Sequence, residues 1–425
     1  MSQKNISQKQ SLQMIEKQLT RKLKSIRSFS PEINKNLNVG SLKSSIAADI
    51  NLCLDLLKVN IGTQEKPDCK PYNNPEVTKL LLHNLKATKH IDAKKFLPPK
   101  QILANCWFNT MFVAFFFSDK GRRFFRFFRE LMITGKKVSG EPIKENLAQL
   151  FFALNLFIEA SYNQFNIGKS RIKTKKSGKT SAKKSKKANK DNGKKAKSKT
   201  KKKRSSGKGT NALFDQLLLI NNNLNTNFFI YNIYEIIKNP KSKLDSAKLL
   251  ENKMRNFSLP NVKEAGNPLQ YYETIFDYLH YNVLKLMKTN LHEQVNLPDI
   301  LSEKFMKYDV IPDIIILEDF QSKTQFDKEY TFNKNGNSYK YVLDSIILTN
   351  KGHFDPDENS HFVSVLTINK EEYKFDGDSY SRLSKFKWKN LINRDKDWTF
   401  KENPNFYPEK YNFTKGYKIM FYYRS

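Results

Sequence analysis

QILANCWFNTMFVAFFF, residues 101–117, places a cysteine at the head of an apolar run. The polar residues Asn105 and Asn109 flank Cys106, and the apolar residues after them predict a helix that begins at the cysteine. A helix N-terminus stabilises a thiolate, the reactive form of cysteine. The pattern favours a nucleophile, and the alternative is an inert cysteine buried in the core.

The net charge is concentrated in one segment. The chain of 425 residues carries a formal charge of +33, and residues 169–208 contribute 20 Lys or Arg against one acid, Asp191. This Lys, Ser and Gly segment has too little apolar surface to offset the entropy cost of ordering, so we predict a disordered insert over 169–210. The insert is either a tolerated surface loop or an arm for non-specific binding of DNA or RNA.

The cysteines exclude one class of metal site. Cys53, Cys69 and Cys106 are widely spaced and form no CxxC pair, so we expect neither a structural zinc nor any other cofactor. An odd cysteine number after a polar N-terminus predicts a reducing compartment and no secretion. No apolar stretch is long enough to cross a bilayer, so we expect no membrane contact.

The chain divides into four predicted segments. Residues 1–75 form an N-terminal helical extension, and 76–168 a helical lobe that carries Cys106. The insert at 169–210 follows, and 211–425 form an α+β lobe with an antiparallel sheet. The fold class is therefore α+β.

Periodicity and β-propensity give the elements of these lobes. We predict helices at 80–85, 147–158, 213–219 and 271–286, and strands at 228–231, 310–317, 340–348, 362–368, 373–375 and 417–423. The run RRFFRFFR at 122–129 has helical spacing, which favours a buried Phe stripe with arginines that extend to solvent. Stacking of nucleic-acid bases on these rings is the alternative.

A histidine and two acids are the candidates to act with the Cys106 thiol in catalysis. His361 precedes the predicted strand at 362–368, where a rigid support suits a general base. A two-residue turn within 369–372 would place Asp378 opposite His361, with Asp376 on the diagonal. Either acid is a candidate to orient the imidazole, and the alternative is that both are turn residues beside Gly377. The oxyanion formed on attack needs a donor, for which Gln101 and Asn105 are candidates beside the Cys106 N–H.

These segments together resemble the ubiquitin-specific proteases, or ubiquitin carboxyl-terminal hydrolases. That family has an amide residue five positions before the cysteine, as Gln101 is here, and the sequence Asn105 to Thr110 is similar to its cysteine box. A histidine box and a closing aromatic strand follow in the family order, at 361–376 and 417–423. The resemblance covers about 97–425, apart from the insert.

The resemblance implies a papain-like fold and a thiol protease with Cys106 as nucleophile, His361 as base and Asp376 as orienter. It also implies a protein substrate, with ubiquitin or a ubiquitin-like modifier as the leading candidate. The chain departs from the family at Ser360, where a glycine is expected, and in lacking paired CxxC zinc fingers.

The chain also resembles thiol proteases of giant DNA viruses of amoebae, which implies a place in the virion or in the infected host cell. Two other functions remain open from the residues. One is a protease that processes viral precursors, and the other is a basic virion protein that binds nucleic acid and has a decayed hydrolase site.

Overall fold

The computed structural model describes most of the chain from Leu57 onward. The described residues are 57–61, 68–86, 93–101, 105–162, 226–250, 268–279, 285–291, 296–320, 324–349, 361–379, 382–400 and 409–425. Our predictions for residues 1–56, for the insert at 169–210 and for a helix at 213–219 lie outside this part of the chain.

The fold is a mixed α/β arrangement of helices and one large sheet. The helices are α1 Pro75–Lys86, α2 Cys106–Phe116, α3 Asp119–Thr134, α4 Glu145–Tyr162, α5 Thr226–Lys238, α6 Pro268–Tyr278 and α7 Leu297–Lys307. The strands are β1 Lys58–Asn60, β2 Cys69–Pro71, β3 Leu286–Leu291, β4 Ile314–Asp319, β5 Glu329–Lys334, β6 Asn337–Thr349, β7 Phe362–Ile368, β8 Glu371–Phe375, β9 Leu383–Lys385 and β10 Lys418–Arg424. The predicted fold class, helices together with a sheet, agrees with this arrangement.

The described strands β3 to β10 form an eight-stranded sheet in the order β3-β4-β10-β6-β7-β8-β9, with β5 paired to β6. We predicted an antiparallel sheet, and this is wrong at one edge, because β3 and β4 are parallel. A parallel pair needs a crossover connection, and α7 lies between these two strands in the chain. The remaining pairs of the sheet are antiparallel.

The sheet separates two apolar cores. Along β10, Ile419, Phe421 and Tyr423 join the core formed with helices α1 to α6. Met420 and Tyr422 alternate with them and join the opposite core, which contains α7 residues and Trp388. Because both faces are covered, the residues between the two ends of the strand, from Ile419 to Tyr423, are all apolar or aromatic.

Helix α2 lies at the centre of the first core. All of its residues, from Cys106 to Phe116, are buried. The Phe115 ring packs edge-on against Phe421 of the sheet, with centroids 5.4 Å apart. Aromatic packing of this kind gives α2 a fixed position, and so also the thiol at its first residue.

Two predicted elements differ from the structure. The run at 228–231 was predicted as a strand but lies inside α5, because buried Phe229, Ile233 and Ile236 recur at helical spacing. The helix predicted over 271–286 ends at Tyr278, and Leu286 begins β3. Helices α5 and α6 pack into the same core as α2, so the helical layer extends beyond the segment 76–168.

The arginine and phenylalanine run lies in α3. Its phenylalanines are buried, as predicted for a Phe stripe: Phe124, Phe125, Phe127 and Phe128. Arg129 does not extend to solvent as we expected. It is buried and pairs with Glu159 and Asn155 of α4. Buried phenylalanine rings in this helix are not available to stack nucleic-acid bases.

The segment 57–75 contributes a short antiparallel pair, β1 and β2, where helices were expected. Cys69 in β2 is disulfide-bonded. Cys106 is a free thiol.

Candidate active site

The thiol lies at the N-terminus of α2. Cys106 is the first helical residue and is 7% exposed, while Asn105 before it is the N-cap and is fully buried. No side chain caps the helix at Asn105. Cys106 therefore lies at the N-terminal end of the helix dipole, where the sequence pattern predicted that the helix begins.

His361 and Asp376 lie at the open end of the β7–β8 hairpin. Asn369 and Lys370 form its two-residue turn, both with positive φ, 52° and 64°. Two consecutive residues with positive φ are typical of the type I′ turn, whose twist matches that of the strands. The turn fixes the register in which Ser364 pairs with Phe375.

This register would place residue 378 opposite His361, but the pairing ends at Phe375. The Asp376 N–H instead donates to the carbonyl of Arg382. The Asp376 carboxylate then reaches the imidazole diagonally, with Oδ1 2.8 Å from His361 Nε2. Of the two candidate orienters, the structure therefore brings Asp376 to the imidazole.

Asp378 contacts the same carboxylate through its backbone. Its N–H donates to Asp376 Oδ1 over 2.9 Å, and its side chain is exposed. Asp376 itself is buried. A buried carboxylate that accepts several hydrogen bonds is held in one orientation, which in turn fixes the plane of the imidazole.

The imidazole contacts both partners. Burial alone would lower the pKa of His361, but hydrogen bonds to the Asp376 carboxylate and to the Cys106 thiol oppose it. The result is a His361 pKa well above its usual value. The structure thus brings Cys106, His361 and Asp376 together from three places in the sequence.

A single peptide group connects α2 to the loop after Asp376. The Lys100 carbonyl accepts from Asn109 Nδ2 at 3.2 Å, and the Gln101 N–H donates to the Gly377 carbonyl at 2.8 Å. A Cβ on Gly377 would lie 3.0 Å from the Gln101 nitrogen, so a side chain there would displace this peptide. Gln101 is thereby held close to Asp376 and to α2.

The two candidate oxyanion donors have different surroundings. Asn105 is fully buried, and its Oδ1 accepts from Asn109 Nδ2 at 3.1 Å. Gln101 is partly exposed, and its buried Oε1 has no hydrogen-bond partner among the described residues. Because Gln101 is partly exposed and Asn105 is enclosed, Gln101 is the candidate more open to a substrate.

Sequence reasoning missed Thr226 and Tyr411, and it treated Gly377 only as part of a turn. Thr226 begins α5 and donates to Asn109 Oδ1 at 2.7 Å. Tyr411 is buried, and burial and the neighbouring Glu409 raise its pKa, with smaller contributions from Asp376 and Cys106. The Tyr411 hydroxyl donates to Glu409 Oε2 at 2.7 Å, so an acidic group lies near the site. No local motif marks Thr226 or Tyr411, since both reach the site through long-range packing.

Metal-ligating side chains do not cluster in the described part of the chain. None of the helices described has the length and hydrophobicity of a transmembrane span.

Comparisons with known proteins give no family. No family model matches the chain, and no curated protein matches it. Among solved structures, the Ubp8-Sgf11-Sgf73-Sus1 SAGA DUB module is similar at 10% identity and TM-score 0.34, over 98% of this chain and 97% of that one. An essential yeast splicing factor is similar at 14% identity and TM-score 0.20, over 33% of this chain and 36% of that one. TM-scores this low do not establish a shared fold, and neither likeness supports a function.

Proposed function

We propose that the chain is a papain-like cysteine peptidase in which Cys106, His361 and Asp376 form the catalytic triad. The observation that carries the proposal is the imidazole of His361, which bonds to a buried carboxylate through Nε2 and also contacts the thiol. With Nε2 engaged, Nδ1 is the nitrogen left for the sulfur. A base oriented by a third group and in contact with a nucleophile is the arrangement that covalent catalysis requires.

The mechanism follows from these contacts. The Cys106 thiolate attacks the substrate carbonyl, and the carbonyl π electrons move to oxygen to give a tetrahedral oxyanion. The Cys106 N–H and the Gln101 side-chain amide donate hydrogen bonds to this oxyanion. The intermediate collapses, the C–N bond breaks, and the His361 imidazolium protonates the departing amine.

Hydrolysis of the acyl-enzyme returns the site to its starting state. Neutral His361 takes a proton from water, and the hydroxide attacks the thioester carbonyl. The C–S bond breaks as the carboxylic acid leaves, and the thiolate and imidazolium form again. Asp376 keeps the ring in orientation and stabilises its positive charge in both steps.

The substrate we propose is a peptide or isopeptide bond after a ubiquitin-like C-terminus. The support is the resemblance of the cysteine box and the histidine box to those of ubiquitin-specific proteases. Processing of precursor proteins is the alternative, and the virion location stays a prediction. The insert carries +19 of the charge, so salt-dependent binding to DNA or RNA accompanies either activity.

The test is covalent capture by ubiquitin with a C-terminal electrophile, followed by mass-spectrometric mapping of the modified cysteine. We expect Cys106 to be labelled, and Cys106→Ser to abolish both labelling and isopeptide cleavage. Labelling by a peptide electrophile but not by the ubiquitin probe would favour precursor processing. A Cys106 that reacts no faster than a simple thiol would contradict the catalytic proposal, whichever substrate is used.

A further inference from the structure

We propose that Thr226 and Asn109 are positioning residues that set the oxyanion donor Gln101 through the peptide group between Lys100 and Gln101. This inference rests on the proposed function, since it assumes that an oxyanion forms beside Cys106. It assigns a role to a residue at the start of α5, which is separated from Cys106 by 120 positions and by the Lys-rich insert.

The Asn109 amide is held in one orientation. The Thr226 hydroxyl donates to Asn109 Oδ1 over 2.7 Å, and Asn109 is fully buried with Thr226. A hydroxyl can donate or accept, and here it donates, so this bond holds the amide oxygen toward α5. The amide nitrogen then faces the other way, toward the segment that precedes α2.

The nitrogen of the Asn109 amide binds two acceptors before α2. Asn109 Nδ2 donates to Asn105 Oδ1 at 3.1 Å and to the Lys100 carbonyl at 3.2 Å. Both N–H bonds of the amide are thus used on the residues that flank the Gln101 segment. If the amide were turned over, its oxygen would face the Lys100 carbonyl oxygen, which can only accept. That carbonyl therefore fixes the orientation of the amide, and the Thr226 hydroxyl secures its oxygen end.

The Lys100 carbonyl is linked rigidly to Gln101. The Lys100 C=O and the Gln101 N–H belong to one planar peptide group, so fixing both ends fixes the plane. Asn109 holds the carbonyl end, and Gly377 accepts from the N–H end at 2.8 Å. The Cα of Gln101 lies in this plane, and its side chain starts from a position set by α2 on one side and by the loop after Asp376 on the other.

The experiment compares two reactions of Cys106 that differ in one respect. Acylation by p-nitrophenyl acetate passes through a tetrahedral oxyanion, whereas alkylation by iodoacetamide is a displacement at carbon without one. Loss of a single oxyanion donor costs roughly 10²–10³-fold in rate, so displacement of one is expected to cost about tenfold or more. Alkylation depends on the thiolate and His361 and should be unaffected.

The decisive variants are Thr226→Val, which removes the hydroxyl at nearly constant volume, and Thr226→Ser, which keeps it. In full-length protein we expect Thr226→Val to slow the acylation burst about tenfold or more, with alkylation within about twofold of the parent, and Thr226→Ser to restore acylation. Thermal unfolding confirms that each variant is folded at the assay temperature. Should Thr226→Val not fold, Asn109→Asp keeps the acceptor for Thr226, removes the two donated bonds and is expected to show the same selective loss.

A double-variant cycle locates the effect. Gln101→Ala should slow acylation by itself, and Thr226→Val should add nothing further in that background if it acts through Gln101. An equal fall in acylation and alkylation, an unchanged acylation rate, or full additivity with Gln101→Ala would overturn the inference. A parent protein whose Cys106 is not acylated at all would instead refute the proposed function, and this inference with it.

Discussion

The backbone N–H of Asp378 donates to Asp376 Oδ1, the same oxygen that lies 2.8 Å from His361 Nε2. The two neighbouring acids therefore contribute differently, one through its carboxylate and the other through its main chain. An exposed side chain at Asp378 and a buried one at Asp376 agree with this division.

Asp376→Asn and Asp378→Asn form a matched pair. We expect Asp376→Asn to lower kcat/KM by roughly 10²–10⁴-fold, because the imidazole loses the group that orients it and stabilises its charge. Asp378→Asn keeps the backbone N–H and should stay within about twofold of the parent. Steady-state cleavage of a substrate that acylates Cys106 gives kcat/KM for each variant. Equal losses of kcat/KM in the two variants would contradict the assignment.

The titration of His361 provides a second test. Its pKa is raised because hydrogen bonds to Asp376 and Cys106 outweigh the effect of burial. The imidazolium thus contributes stability that is fully present below the unfolded pKa of about 6.5 and is lost as pH rises through the higher folded value. In Asp376→Asn the pKa should fall.

Nuclear magnetic resonance of the ring protons measures this pKa directly, and His361→Gln identifies the signal among the six histidines. A His361 that titrates at its ordinary pKa in the parent protein would contradict the described contacts.

Asp344 of β6 couples the sheet to the start of α3. Its Oδ2 accepts from the Lys120 N–H at 2.9 Å. Burial is the main cause that raises the pKa of Asp344 from 3.8 to about 6, and the charge of Asp119 is the next. Hydrogen bonds from Ser118 and Lys120 act in the opposite direction and lower it. The folded state therefore holds the proton more tightly than the unfolded state.

Stability associated with Asp344 is complete below pH 3.8 and is lost as pH rises through about 6. The difference between the folded and unfolded pKa values of Asp344 corresponds to a change in the free energy of unfolding of about 3 kcal/mol at most. In Asp344→Asn the free energy of unfolding should vary less between pH 4 and pH 7 than in the parent, as measured by urea unfolding. Asp378→Asn, at an exposed carboxylate, should keep the parental slope, and an unchanged slope in Asp344→Asn would contradict the prediction.

Lys418 and Asp319 form a fully buried ion pair between β10 and β4. Lys418 Nζ lies 2.9 Å from Asp319 Oδ2 and donates to the Gly416 carbonyl at 3.0 Å. Removing one partner leaves a buried charge, so Lys418→Met should destabilise the protein by about 3–5 kcal/mol. Adding Asp319→Leu to that variant should recover part of the loss.

Lys307→Met is the control for this prediction, since the Glu303–Lys307 pair is exposed. It should change the free energy of unfolding by less than about 1 kcal/mol. Equal effects of Lys307→Met and Lys418→Met would show that burial of the pair does not matter.

Local patterns allowed much of the site to be predicted. The polar-to-apolar change at Cys106 placed the start of α2, and the hairpin register placed an acid near His361. These features depend on short-range periodicity and turn chemistry, which a single sequence contains.

The remaining features depend on long-range packing. The aromatic run in α5 has high β-propensity, and its helical spacing becomes visible only over the full 226–238 window. The bond from Thr226 to Asn109 joins residues 117 positions apart, and the parallel pairing of β3 with β4 depends on a crossover through α7. Neither follows from a local pattern, because each is decided by which surfaces meet in three dimensions.

The complete enclosure of α2 has an evolutionary consequence. A helix that is packed on every side cannot be re-aimed without rebuilding the centre of the molecule. Adaptation to new substrates, whether by natural drift or by directed evolution in the laboratory, should therefore accumulate in the surrounding loops while the coordinates of the reactive sulfur stay constant.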